Sequence, residues 1–190
     1  MLEKLKQYSQ RVEVSLKAID SSILQEAYHL MEVSIQNGNT LFIIGNGGSA
    51  ATASHFATDI AKSITSSGKN GCAFSLCDNS SMLTAISNDY GFEYVFQKQL
   101  EIQAKNGDVL LSISASGNSK NLVQAVNYAN QNLISTISMT GFDGGILKNI
   151  SNFSIHVPTA IGDYGVSEDC HSILCHFFSE QLGKNQKGLG

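Results

Sequence analysis

The sequence predicts an α/β fold: a five-stranded parallel sheet with helices on both faces, preceded by a pair of helices. Short apolar runs of strand length recur along the chain, each followed by a stretch with helical periodicity. The first, LFIIG, is a continuous apolar run, as in a strand buried on both faces. Each strand also has a helix behind it to serve as the crossover that parallel strands require.

Residues 1–37 predict the helical pair. Leu2, Leu5, Tyr8 and Val12 form one stripe, and Ile23, Ala27, Leu30 and Met31 a second. Asp20-Ser21-Ser22 is a helix start and Asn37-Gly38-Asn39 a stop. LFIIG (41–45) is the first strand, with a helix over 49–64 behind it. CAFSL (72–76) is the second, followed by helices at 79–87 and 93–104 that are parted by Asn88-Asp89-Tyr90-Gly91. DVLLSIS (108–114) is the third. The helix after it, 118–131, has Leu122, Val123, Val126 and Tyr128 among its apolar positions. ISTISMT (134–140) is the fourth strand, 145–150 a short helix, FSIHVP (153–158) the fifth strand and 166–183 the last helix. No repeat, low-complexity tract or linker divides the chain. One domain is expected over 1–190: the helical pair, an α/β core over 38–184, and a tail, 185–190, within a stretch from 183 that is expected to fray.

With 190 residues, 42% of them apolar, the chain can bury a core of its own. A net charge of −4 and the lack of a basic run argue against binding a nucleic-acid backbone. They leave a small anion open, because backbone amides and hydroxyls hold phosphate without a positive domain. No run approaches the roughly 20 apolar residues of a membrane span. The N-terminus mixes charged and apolar residues where a signal peptide has an unbroken apolar run, so a cytoplasmic protein is expected. Cys72 and Cys77, like Cys170 and Cys175, are spaced i, i+5. That is not a zinc-ribbon spacing, and free buried thiols are expected.

Ligands of open parallel sheets bind beyond the carboxyl ends of the strands. Two of those ends carry unusual loops: Gly45-Asn46-Gly47-Gly48-Ser49 after the first strand, and Ser114-Ala115-Ser116-Gly117-Asn118-Ser119 after the third. The second loop sets three hydroxyls ahead of a helix, where a phosphate would receive serine and backbone donors together with the helix dipole. A plainer reading makes Ser119 or Asn118 a helix cap, but two such loops on one sheet favour a ligand site. The first loop has neither the Gly-Lys-Ser/Thr ending of a Walker motif nor GxGxxG spacing, which disfavours a nucleotide cofactor. His55 and Asp59, at i, i+4, share a helix face. They suit a metal or an acid–base pair, or form a surface ion pair.

Gly45-Asn46-Gly47-Gly48-Ser49-Ala50 with His55 beyond it, Ile86-Ser87-Asn88-Asp89-Tyr90-Gly91-Phe92 and Ser114-Ala115-Ser116-Gly117-Asn118-Ser119 together resemble SIS (sugar isomerase) domains. Thr140-Gly141-Phe142-Asp143-Gly144-Gly145 narrows the resemblance to the phosphoheptose isomerase branch, over nearly the whole chain. The resemblance implies a flavodoxin-like three-layer sandwich, a homotetramer with active sites at subunit interfaces, and a zinc ion in at least some members. It implies aldose–ketose isomerisation of a phosphorylated sugar, sedoheptulose 7-phosphate to D-glycero-D-manno-heptose 7-phosphate. Carried over, Ser114, Ala115, Ser116 and Ser119 would hold the phosphate; Asn46, Gly47, Gly48, Ser49, Asn88, Asp89 and Glu168 would line the sugar. His55, Asp59, Glu168 and His176 would hold zinc, with Asp59 or Glu168 as base and His176 as acid.

The sequence departs from the family at several of these positions. Ala115 replaces the usual threonine, Asp59 a glutamate and Glu168 a glutamine; Lys62-Ser63 lacks an arginine, and Ile161-Gly162-Asp163-Tyr164-Gly165 differs from the usual loop. Glu168 and His176 lie eight residues apart, about 12 Å of helix. One ion can meet both only at a bent helix start or across a subunit boundary. His29, His156 and His171 are expected to be structural or solvated, with His171 facing away from His176. A non-catalytic sugar-phosphate sensor or adaptor, or an isomerase of a different phosphosugar, are the alternatives. The presence of His55, an acid at 59 and His176 together favours an enzyme.

Overall fold

The computed structural model describes residues 1–67 and 70–184. Helices α1 (Leu2–Lys17) and α2 (Ser21–Gln36) open the chain. The Asp20 carboxylate caps α2, accepting from the Ser22 amide at 2.9 Å and the Ile23 amide at 3.4 Å. Ala27 and Met31 are fully buried. On α1 Ser15 is buried and Tyr8, Val12 and Leu16 pack against the core, while Leu2 and Leu5 stay exposed.

The rest alternates: β1 (Thr40–Gly45), α3 (Gly48–Ser67), β2 (Cys72–Ser75), α4 (Ser80–Tyr90), a 3-10 turn (Phe92–Tyr94), α5 (Val95–Gln103), β3 (Val109–Ser114), α6 (Lys120–Gln131), β4 (Ser135–Thr140), α7 (Gly145–Ile150), β5 (Phe153–His156) and α8 (Tyr164–Lys184). The sheet order is β2-β1-β3-β4-β5, with every pairing parallel. Successive residues of a strand face opposite sides. Leu41, Ile43, Leu111 and Met139 pack with Met31, Phe56, Ile60 and Phe178 beneath α2, α3 and α8. Phe42, Ile44 and Leu110 pack with Phe96, Leu100, Leu122 and Val126 beneath α5 and α6. Two buried faces require apolar residues at every position, which is why LFIIG is unbroken.

Three expectations are corrected. Asn88, Asp89 and Tyr90 form the last turn of α4, not a loop, and the helix ends at Gly91 (φ 103°). β5 stops at His156; the Val157 amide still donates to the Thr140 carbonyl, but Pro158 has no N–H to extend the ladder. All four cysteines are free, but only Cys170 and Cys175 are buried. Cys77 is half-buried. Cys72 is exposed with Phe74 because β2 is an edge strand with one face left uncovered. The last helix takes in Gly183 and Lys184, and the tail at 185–190 lies outside the described residues. No helix among the described residues is long and apolar enough to cross a membrane.

Candidate functional site

From β1 the chain crosses to β2 on one side, and β3 lies on the other side of β1. The sheet therefore reverses its winding between β1 and β3, where open α/β sheets bind ligands. The glycine loop follows β1 and the serine loop follows β3, so both expected loops meet at this point. Gly117 (φ 63°) allows the serine loop to turn. A Cβ there would sit 2.0 Å from the Gly144 carbonyl oxygen, so the loop is docked closely on the loop after β4.

Asn46, Ser49, Ser114, Ala115, Ser116, Ser119, Tyr164 and Glu168 line a cavity of about 130 Å³ between the two loops. At about 30 Å³ per water, that space takes a phosphate group but not a whole sugar phosphate. Ser114 Oγ accepts from the Gly117 amide (3.1 Å) and Ser116 Oγ from the Asn118 amide (3.3 Å). Ser119 holds the N-cap position of α6 but makes no side-chain capping bond. The plainer reading of this residue thus meets its position but not its bond. Gly47 turns with φ 54°, and α3 begins at Gly48.

Glu168 reaches this cavity from the second turn of α8. A Cβ on Gly48 would lie 2.5 Å from Glu168 Oε2, so the missing side chain is what admits the carboxylate. Tyr8 donates to Asp169 Oδ2 at 2.7 Å, and Arg11 pairs with Asp163. These bonds tie α1 across the start of the helix that presents Glu168. The bond to Asp169 also pushes the Tyr8 phenol up to about 12.

A second group forms where α3 packs on α8. His55 Nε2 lies 3.4 Å from Asp59 Oδ2, and the His55 and His176 rings are 5.1 Å apart at 75°. One ligand atom from each of the three residues lies within 4.8 Å of the others. Two ligands about 2.1 Å from a tetrahedral zinc lie about 3.4 Å apart. The His55–Asp59 spacing already meets that, and a ring nitrogen of the exposed His176 lies within 4.8 Å of both. This is a possible metal-binding arrangement of two imidazoles and a carboxylate. Glu168, expected in the same ligand set, is not part of it, since it lies two turns back along α8 in the serine-lined cavity.

Asn88 and Asp89 are exposed on α4, joined by a 3.0 Å bond, and border neither group within the chain. His29 is exposed beside Glu32, and His156 meets Thr140 Oγ1 at 3.3 Å. His171 is fully buried, and neither ring nitrogen has a hydrogen-bond partner. A wider groove of about 1030 Å³ runs between α3 and β2 past Thr58, Lys62 and Phe74, and Lys62 also borders a smaller one that takes in Asp59. Two residues of the site escaped sequence reading. Tyr164 walls the cavity and packs edge-on against Phe142 at 4.9 Å. Asn121 is 2% exposed and pairs with Asn46. The only signal for Asn121 was an amide at a position of α6 that faces inward.

Comparison with known proteins agrees with this layout. The SIS domain profile matches residues 7–141. A phosphoheptose isomerase of Helicobacter pylori is 36% identical over 182 residues, 95% of this chain and 94% of that protein. A probable phosphoheptose isomerase of Thermoplasma acidophilum is 38% identical over 149 residues, 78% of this chain and 81% of that one. The structure of a phosphoheptose isomerase from Neisseria gonorrhoeae superposes with a TM-score of 0.87 at 32% identity, covering 96% of this chain and 97% of that one. The sheet order, the paired loops and these likenesses agree: the chain belongs to the SIS-domain family, in its phosphoheptose isomerase branch.

Proposed function

We propose that this single-domain chain interconverts sedoheptulose 7-phosphate and D-glycero-D-manno-heptose 7-phosphate through an enediol. The observation that carries the reading is the phosphate-sized cavity of serines at the sheet's switch point, with the Glu168 carboxylate at its wall. The serine loop and the start of α6 hold the phosphate, and that anchor fixes the carbon chain for reaction. The shift moves a proton between neighbouring carbons. It needs a carboxylate base, Asp59 or Glu168, and an acid to protonate the neighbouring oxygen, His176. Hydrogen-bond donors at the developing oxyanion lower the barrier further. The donors of His55, Asp59 and His176 suit zinc, which when bound supplies a Lewis acid for the sugar's carbonyl oxygen.

A homotetramer supplies what one chain leaves apart. His55 and His176 are exposed, and Glu168 lies away from them. Leu2, Leu5 and Val14 on α1, with Ile173 and Phe177 on α8, offer uncovered apolar area for contact between copies. A cytoplasmic location accords with a phosphorylated substrate and with free thiols.

The test is turnover of sedoheptulose 7-phosphate by purified protein, with and without added zinc, followed by NMR. An aldoheptose phosphate should appear, and His176→Ala should abolish it. Protein that binds the sugar phosphate but never converts it would refute the reading.

A further inference from the structure

A side-chain clasp joins the glycine loop to the first turn of α6, directly behind the serine loop. Asn46 Nδ2 donates to Asn121 Oδ1 at 2.9 Å, and Asn121 Nδ2 donates back to Asn46 Oδ1 at 2.9 Å. Asn121 Oδ1 also accepts from the Leu122 amide at 3.0 Å. The last rung between β1 and β3 pairs Gly45 with Ile113. Beyond it, the clasp is, among the described residues, the hydrogen-bonded link between the glycine loop and the segment that carries the serines. On its other side the serine loop is fixed independently: Gly141 donates to the Ala115 carbonyl, Leu147 to the Gly117 carbonyl and Ile146 to Asn118 Oδ1. One wall of the cavity is thus anchored to the loop after β4, and the clasp sets how close the other wall stands.

Asn121 is buried beside Leu122 and Ala125, and a buried amide is retained at a loss unless its partners are present. Asn46 borders the cavity and Asn121 does not. Because Asn46 spends its carbonyl and one N–H on Asn121, its amide is held in one orientation.

We propose that Asn121 is a positioning residue: through Asn46 it fixes the spacing of the two loops and so sets the grip of the cavity on phosphate. This rests on the phosphate reading of the cavity given above.

The test is the affinity for inorganic phosphate, by calorimetry, of wild type, Asn46→Ala, Asn121→Ala and the double variant, with Tm recorded for each. Asn121→Leu, of similar volume, stands in if the alanine variant does not fold. Each single change should weaken phosphate by about tenfold, and the double change by no more than either alone, since both remove one clasp. Ala129→Gly, further along α6, should lower Tm and leave phosphate affinity unchanged, separating positioning from general loss of stability. Wild-type affinity in both Asn121 variants, or losses that multiply to about a hundredfold in the double, would overturn the proposal while leaving the phosphate site standing. A wild-type protein that binds no phosphate would overturn the site reading and the clasp with it.

Discussion

Acidification from pH 7 to pH 4 is expected to remove about 3 kcal/mol of stability through His171 alone. His171 lies on α8 with its ring fully buried, and neither nitrogen has a partner in hydrogen-bonding geometry. Burial pushes it from 6.5 to about 4; the Thr140 backbone pulls upward and the charge of His156 pushes further down, both less than burial does. Without a well-formed bond, the Thr140 contribution is weak. The fold therefore prefers the neutral ring, whereas the unfolded chain takes up a proton below about 6.5. Stability from this residue is complete above 6.5, falls as pH drops towards 4, and levels off once the folded ring is protonated as well. A shift of about 2.5 units at about 1.4 kcal/mol each comes to about 3.5 kcal/mol well below pH 4, and at pH 4, where the folded ring is half protonated, to about 3. The assay is urea unfolding at pH steps from 7.5 to 4, at one protein concentration, for wild type and His171→Phe. His156, also lowered mainly by burial, is present in both and cancels. The difference between the two curves should narrow or reverse by about 3 kcal/mol across the range. Parallel curves, or an NMR titration of His171 near 6.5, would refute the reasoning.

Three further outcomes follow from the site. Gly48→Ala places a methyl against the Glu168 carboxylate, which can swing away, so Tm should hold while turnover falls by about a hundredfold; unchanged turnover would show that Glu168 need not stand where it does. Glu168→Gln should abolish turnover if this carboxylate is the base, and a near-normal rate would leave Asp59 in that role. Elemental analysis of purified protein should find zinc, and His55→Ala should lose it with its secondary structure unchanged by circular dichroism; equal zinc in both would remove His55 from the ligand set.

The central strands β1 and β3 were legible because each fills two faces, and LFIIG and DVLLSIS are too short for a helix and bounded by turn residues. The Asp20 cap was legible because its chemistry is local. The end of α4 was not: Asn88 and Asp89 look like loop residues, and only Gly91 marks the break. The exposure of Cys72 could not be read either, because whether a strand lies at a sheet's edge depends on strand order, which depends on how the crossovers turn. His55 and Asp59 were legible as one helical face. Their meeting with His176 required α3 to pack on α8, a contact between segments far apart in sequence. The distance of Glu168 from His176 was foreseeable from helical rise, but its place against Gly48 was not, since a glycine gives no hint of which neighbour fills the space it leaves. Asn121 was invisible as a clasp because its partner lies on another strand's loop.

The division of labour between the two sides of the sheet bears on how such a protein changes its substrate. The anchor comes from the β3–α6 junction, and the His–Asp–His group from the α3–α8 pair on the opposite face. The departures from the pattern that the resemblance implies fall on both halves. Asp59 and Lys62-Ser63 lie on α3, while Glu168 and Tyr164 of the 161–165 segment line the cavity together with Ala115. Because one helix, α8, carries both Glu168 in the cavity wall and His176 in the His–Asp–His group, a change of substrate that shifts this helix reaches the phosphate end and the histidine end together.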